Sequence, residues 1–432
     1  MKVRDSGTKE IFASLLIIGA GPAGLAAALA AAPHAKSIVI IDENTEAGGQ
    51  IWRRDSLQVH SPAAQLKAKL LTYPHVQFVF GSRVIAMVEQ YCLLIETSEG
   101  AQQLRWEKLI LCNGARELLL PFPGWILPGV TGAGGLQAMI KSGADVKGKR
   151  VVIAGTGPLL LSVAASVKKA QGHIVGIVEQ HSAKELLGFS RQLFSAHRSK
   201  FWQALRLFSL INPLRYHHSA VVTVAHGDRQ LRAVTVVQSG KQEEISCDLL
   251  ACGFGLRANV ELAELLQCQI QDGVVVVDTQ QRTSRENIWA AGEITGIGGV
   301  EKALIEGRFA GLAATNDVVT EADTLQRQDA YSFAKLLNQT FSVDTSLRKL
   351  CKPDTLVCRC EDVAAQELAP FTDWRTAKLM TRAGMGACQG RICGAACQFL
   401  YGWDTPEARQ PVFPAKAASL ALLAKKKFSL EK

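Results

Sequence analysis

The sequence predicts an α/β protein of two parallel-sheet units, one inserted in the other, with a small helical domain near the C-terminal end. Three observations carry this. Apolar strands break into a glycine turn and a helix at Leu15–Ala32 and again at Lys149–Leu160. A later apolar strand, Ile288–Ala291, ends in Gly292–Glu293 and returns to the first pattern. Six of the 11 cysteines lie beyond Leu350.

The first unit opens with IIGAGPAG at Ile17–Gly24. Leu15–Ile18 reads as a buried parallel strand and Leu25–Ala32 as a small-residue helix. Gly19 suits a tight turn, Gly21 lets backbone approach a pyrophosphate, and Gly24 lets the helix pack on the strand. The turn Gly21-Pro22-Ala23-Gly24 leads into a helix N-terminus, whose free N–H groups favour phosphate. This is the Rossmann fingerprint, and its next strand, Ser37–Ile41, ends in Asp42 and Glu43. An acid there binds the adenosine ribose. The count from Gly24 suits Asp42, and Glu43 is close enough to be the alternative.

Gly48 and Gly49 allow a tight path, and Gln50 and Arg53 stand within reach of a cofactor. Strands are expected within Val76–Val88 and at Leu93–Glu96, with backbone near Val84 against an adenine. Leu109–Ala115 (LILCNGA) is a buried strand ending in Asn113-Gly114-Ala115, a corner of the type that closes over a dinucleotide. Pro121, Pro123 and Pro128 mark the crossover out of this unit.

The second unit carries Gly155-Thr156-Gly157-Pro158-Leu159-Leu160. Leu160 replaces the third glycine, which should push the helix off its strand. Glu179 ends the next strand and would repel the extra phosphate of NADP. NADH, another adenine nucleotide such as ATP, and an empty scaffold are all open here. Leu186–Arg215 reads as a helix in which aromatics alternate with arginines; it faces either a partner or its own core. In the returning half, the acid of Gly292–Glu293 is placed for the ribityl chain of FAD, and the helix beginning near Val300 turns its N–H groups to the flavin.

At 432 residues, two or three domains are expected, and a hydrophobic content of 48% supports large cores. The net charge of +9 comes with no nucleic-acid motif. Met1–Glu10 is polar, so no signal peptide is expected, nor any membrane-spanning segment. The expected compartment is the cytoplasm, with any membrane association arising through partners.

Cys358-Arg-Cys360 and Cys388-x4-Cys393 form two close pairs. Four thiolates suit zinc or an iron–sulfur cluster; structural zinc prefers CxxC, so CxC with CxxxxC favours 2Fe–2S. Zinc, or four buried cysteines without metal, are the alternatives. Gly384, Gly386, Gly390 and Gly394 border the second pair, while Cys397 and Cys351 fall outside the expected ligand set. The other cysteines are read as core filling.

The ordered set IIGAGPAGL, DENTEAGGQIW, PFPGWILPGV, GTGPLLL, WAAGEITGIGGVEKALIEGR, VCRCEDV and GMGACQGRICG resembles the large FAD subunit of heteromeric amine and amino-acid dehydrogenases and oxidases. That group includes opine oxidases, hydrogen cyanide synthases, sarcosine oxidases and dye-linked proline and D-hydroxyproline dehydrogenases. The cysteine module resembles bacterioferritin-associated ferredoxin. The resemblance implies FAD on Gly19, Gly21, Gly24, the Asp42/Glu43 corner and Glu293, and 2Fe–2S on Cys358, Cys360, Cys388 and Cys393. It also implies a partner subunit of D-amino-acid-oxidase type that oxidises the substrate, a small ferredoxin-like subunit, and an electron acceptor. No CxxC lies in the FAD halves, where a disulfide reductase would hold its redox pair. The expected organisation is 1–120 and 246–318 for the two FAD halves, 121–245 for the inserted nucleotide domain, 319–352 for a helical linker, 353–410 for the cluster domain and 411–432 for a tail. A self-contained NADH-dependent reductase and a non-catalytic iron–sulfur partner or sensor are the competing functions.

Overall fold

The computed structural model describes residues 10–54, 61–404 and 408–429. The polar stretch before Glu10 lies outside the described residues. The chain divides into two compact units, each described by itself.

The first unit holds the described residues up to Ala115, Ala258–Ala334 and those after 407. Its chain runs β1 (Glu10–Ile18), α1 (Pro22–Ala31), β2 (Ile38–Asp42), β3 (Val76–Phe80), β4 (Arg83–Glu89), β5 (Cys92–Thr97) and β6 (Gly100–Leu111). The sheet order is β3-β2-β1-β6-β5-β4, and the strand Ile288–Ala290 adds parallel to β6. β1 is parallel to both neighbours, with Leu15–Ile18 facing Ile38–Ile41 and Lys108–Leu111. Its Leu15 and Ile17 enter one core and Leu16 and Ile18 the other. Burial on both faces is why the strand is written without polar alternation.

α1 carries six alanines and a glycine in ten residues because another helix lies against its backbone. A Cβ on Gly307 of the helix Val300–Ala314 would stand 2.1 Å from the Ala23 carbonyl oxygen, and one on Gly311 would stand 2.3 Å from that of Ala27. Small residues on both sides are the condition for that approach.

The second unit comprises Arg116–Arg257 and Lys335–Pro406. Its parallel sheet centres on Arg150–Gly155, flanked by His173–Glu179 and Leu249–Gly253. Leu160 is accommodated there: it is buried, and Gly253 faces it, where an added Cβ would lie 3.1 Å from the Leu160 side chain. The expected helix over Leu186–Arg215 is two helices, Ala183–Ala196 and Arg198–Phe208, followed by a short turn at Pro213–Arg215. The chain breaks at the buried His197. Within this unit the cysteine segment builds its own core around Val357, Leu368, Trp374 and Cys397. It is fastened to the sheet by Trp125, whose Nε1–H donates to the Leu356 carbonyl at 2.6 Å, with Arg359 stacked over the same indole.

Candidate functional site

In the first unit, three separate segments converge on the Gly19–Gly24 loop. A Cβ on Gly19 would lie 2.2 Å from the carbonyl oxygen of Cys112, the residue before Asn113-Gly114. A Cβ on Gly49 would meet the Gly21 Cα at 3.0 Å, and one on Gly292 would meet the Ala23 Cβ at 2.9 Å. Gly24 packs on the loop itself, where a Cβ would fall 1.8 Å from the Gly19 oxygen. Gly21 differs from all of these. Its nearest neighbour is the Gly49 Cα at 3.8 Å, so its outer side is open. α1 begins there with no side-chain cap and no acid in its first turn. Such an end leaves N–H groups and positive dipole for an anion.

The two candidate acids separate. Asp42 is buried, and its Oδ2 accepts the Ala20 N–H at 2.7 Å. Its Oδ1 accepts both the backbone N–H and the side-chain amide of Asn44, each at 2.8 Å. Burial pushes this carboxyl up, against the pull of those hydrogen bonds. Asp42 therefore fastens the loop to the strand end. Glu43 is half exposed and pairs with Arg83 at 3.3 Å. Val84 is buried in β4 opposite Ile95, while nothing crowds Gly114 on its outer side.

Glu293 is engaged by its own turn. Its carboxylate accepts the N–H of Gly298 at 3.0 Å and of Gly299 at 2.8 Å, so it shapes the turn before Val300. Burial raises its pKa. Behind it lies a network that motif reading missed. Glu306 is wholly buried and pairs with Lys302 at 2.8 Å. Glu306 also accepts the Gly292 N–H at 2.8 Å and the Thr295 hydroxyl at 2.7 Å, and the Tyr331 hydroxyl donates to it. Lys302 donates to Thr295 Oγ1 and to the Gly296 carbonyl, each at 2.9 Å. The Gly292–Gly299 corner is thus pinned from within. The signal was present as Lys302 and Glu306 one turn apart on a helix whose other residues are mostly apolar.

Three buried polar atoms in these segments, Asn113 Oδ1, Arg53 Nε and Trp289 Nε1, have no hydrogen-bond partner. Buried polar groups are ordinarily paired. All three sit in segments that the sequence assigns to FAD, so these unpaired donors and acceptor and the open Gly21 face fit that cofactor.

The second glycine loop has a different occupant. Glu179 is buried, and its Oε2 accepts the Gly157 N–H at 2.9 Å, while Oε1 accepts the His181 N–H at 3.1 Å. The Glu179 carboxylate raises the His181 pKa, and burial opposes it. Phe341 lies over the loop: a Cβ on Gly157 would be 3.3 Å from its ring, and the ring packs edge-on to His181 and Phe189. Gln180 Nε2 donates to the Ser342 carbonyl at 3.0 Å. Glu179 therefore holds the loop and His181 rather than presenting a free carboxylate to a ribose.

The four expected ligand cysteines lie together. Cys360 and Cys393 each lie within interaction range of Cys388, and Cys358 within range of Cys393. Cys393 as donor holds Cys388 down to about 4, and Cys388 in turn drives Cys393 up. A Cβ on Gly386 would lie 2.2 Å from the Cys360 Cβ, so glycine there permits the closure. Cys397 is buried in the helix Cys393–Tyr401 and pushed up to about 12 by burial. Among the described residues, no group of three or more His, Cys, Asp or Glu is arranged to hold a single metal ion. A 2Fe–2S centre makes a different demand, two thiolates on each of two irons. The mutual reach of four soft donors fits that demand.

Residues 13–307 match the family model described as pyridine nucleotide-disulphide oxidoreductase. The chain is 32% identical over 427 residues to hydrogen cyanide synthase subunit HcnB of Pseudomonas protegens, covering 88% of this chain and 90% of that protein. It is 26% identical over 462 residues to an opine oxidase subunit of Rhizobium meliloti, covering 95% and 88%. Among solved structures it shares the fold of L-proline dehydrogenase from P. horikoshii, with a TM-score of 0.70 at 17% identity over 95% of this chain and 80% of that one. The family match spans the whole convergence on Gly19–Gly24, and with it the chain belongs to the pyridine nucleotide-disulphide oxidoreductase family and is a FAD-dependent oxidoreductase.

Proposed function

We propose that this chain is the FAD- and 2Fe–2S-bearing electron-transfer subunit of a heteromeric dehydrogenase or oxidase acting on an amine, imino acid or opine-type amino acid. The observation that carries the proposal is that one chain holds both a dinucleotide cradle and four thiols in mutual reach. The relatives named as subunits of hydrogen cyanide synthase and opine oxidase support the heteromeric reading.

Gly21 leaves room for the pyrophosphate, and the α1 N-terminus offers it N–H groups. Glu43, rather than the fully engaged Asp42, is assigned to the adenosine ribose. Gly49, Gln50 and backbone near Val84 are assigned to the adenine half, and Gly114, Ala115, Gly292 and Val300 to the flavin half. Glu293 acts through the turn it holds. Cys358, Cys360, Cys388 and Cys393 supply the cluster thiolates. Bound FAD exchanges electrons singly or in pairs and a 2Fe–2S cluster one at a time, which suits dividing a two-electron oxidation. The assigned partners are a substrate-oxidising subunit of D-amino-acid-oxidase type and a small ferredoxin-like subunit.

The test is iron and acid-labile sulfide analysis, with electron paramagnetic resonance of the reduced protein, on wild type, Cys393→Ser and Cys397→Ser. Wild type and Cys397→Ser should carry the cluster and Cys393→Ser should lose it. A zinc ion in place of iron, or loss only in the Cys397 variant, refutes the ligand set. In the complex, Cys393→Ser should leave a single turnover of substrate intact and block onward electron flow.

A further inference from the structure

The helix Arg198–Phe208 buries none of its residues. A core-facing amphipathic helix would bury its apolar stripe, yet here Trp202 is 59% exposed, with Leu205 and Phe208 exposed along the same side. On the preceding helix, Leu187 and Phe194 also stand out, and in the turn that follows, Leu214 is 87% exposed. The rings of Phe194, Phe201 and Trp202 pack edge-on in series at 5.2 and 5.6 Å, and Arg198 lies over Phe194. Phe194, Phe201 and Trp202 thus form a preformed aromatic ridge, with Leu187, Leu205, Phe208 and Leu214 exposed on the same helical segment.

The charge along this ridge is mostly positive: its one carboxylate, Glu185 in the first helical turn, is taken up by the Ser182 N–H and hydroxyl. Arg191, Arg198, Arg206 and Arg215 are exposed, and no aspartate or glutamate occurs from Leu186 to Gly227. An occupant must accept aromatic and leucine side chains while supplying negative charge to several arginines. A phospholipid surface does both at one level: indole and phenyl rings settle among the headgroups, and arginines meet the phosphates. A single protein partner would need only a local acidic rim, not a whole stretch of chain cleared of carboxylates. We propose that this helical hairpin docks the chain, peripherally and without spanning, on an anionic phospholipid surface. The proposal goes beyond the electron-transfer reading and does not depend on it.

The test is co-sedimentation of the flavin-replete full chain with vesicles of phosphatidylcholine alone or with about 30% phosphatidylglycerol, an anionic lipid. The protein should pellet with the anionic vesicles only and be released by salt. Trp202→Ser with Leu205→Ser, and separately Arg198→Glu with Arg206→Glu, should each weaken binding about tenfold or more, with flavin content and melting temperature unchanged. No binding, equal binding to both vesicles, or anionic binding that ignores both double variants would overturn it. So would variants that stop co-purification with a protein subunit while vesicle binding persists, because the ridge would then be a protein interface. The readout is lipid binding, so loss of the cluster or of partner electron transfer would leave it unmoved.

Discussion

Gly21 and Gly24 are three residues apart and have opposite surroundings. A methyl on Gly24 collides with the Gly19 carbonyl, whereas the outer side of Gly21 is open. Gly24→Ala should therefore destabilise the fold itself by about 1–3 kcal/mol. Gly21→Val should leave the melting temperature of the flavin-free protein nearly unchanged and lose FAD, which absorbance after purification reads directly. Full retention of flavin in Gly21→Val would refute the cradle. At the buried corner, Lys302→Met strands the Glu306 carboxylate and should cost about 3–5 kcal/mol in denaturant unfolding. The double variant with Glu306→Leu should recover part of that loss. In the second unit, Asp248 sits at about 2, below its ordinary 3.8, because the Arg150 side chain and backbone N–H donate to it. The folded value is the lower one, so its stabilisation is present above the ordinary carboxylate range and fades as pH falls towards 2. Asp248→Asn should lower the melting temperature by about 1–2 °C at neutral pH, with the difference vanishing near pH 2.

Among the elements, α1 and the helix Val300–Ala314 place alanine and glycine where their backbones touch, and that contact brings the Gly292 corner to the start of α1. The second glycine loop shows the reverse economy. Its helix start and glycines persist, but its Gly157 N–H serves Glu179 and its face is covered by Phe341. The segment over Phe341–Val343 thus lies over the loop for which the sequence left a nucleotide or an empty scaffold open. NADH added anaerobically should leave the flavin spectrum unbleached, and rapid bleaching would restore the self-contained reductase. Phe341→Ala should cost about 1–2 kcal/mol of stability, the share expected for a partly buried phenyl ring.

For the whole molecule, the FAD-directed loops belong to one compact unit and the cysteine segment to the other, which it shares with the second sheet. Among the described residues, no helix is long and apolar enough to cross a membrane. Co-expression with candidate neighbouring subunits should give a complex in which substrate reduces the flavin of this chain. A preparation in which this chain alone oxidises amino acids would contradict the heteromeric reading.

The strand and helix periods, the three glycine signatures and the paired cysteines were legible in the sequence, because turn geometry and thiol chemistry depend on residue type at short spacing. Leu15–Ile18 needed only its unbroken apolar run to be a buried strand, and Val300 only its preceding glycines to start a helix. Other features depended on distant residues meeting. Whether Asp42 or Glu43 is spoken for turns on the Ala20 N–H, 22 residues back along the chain. The core behind Gly292 turns on Lys302, Glu306 and Tyr331 closing over it. The fate of the second loop turns on Phe341, beyond the next sheet and the whole returning half. Hydrogen-bond satisfaction and steric cover are properties of neighbours in space, so the tertiary structure alone could decide them.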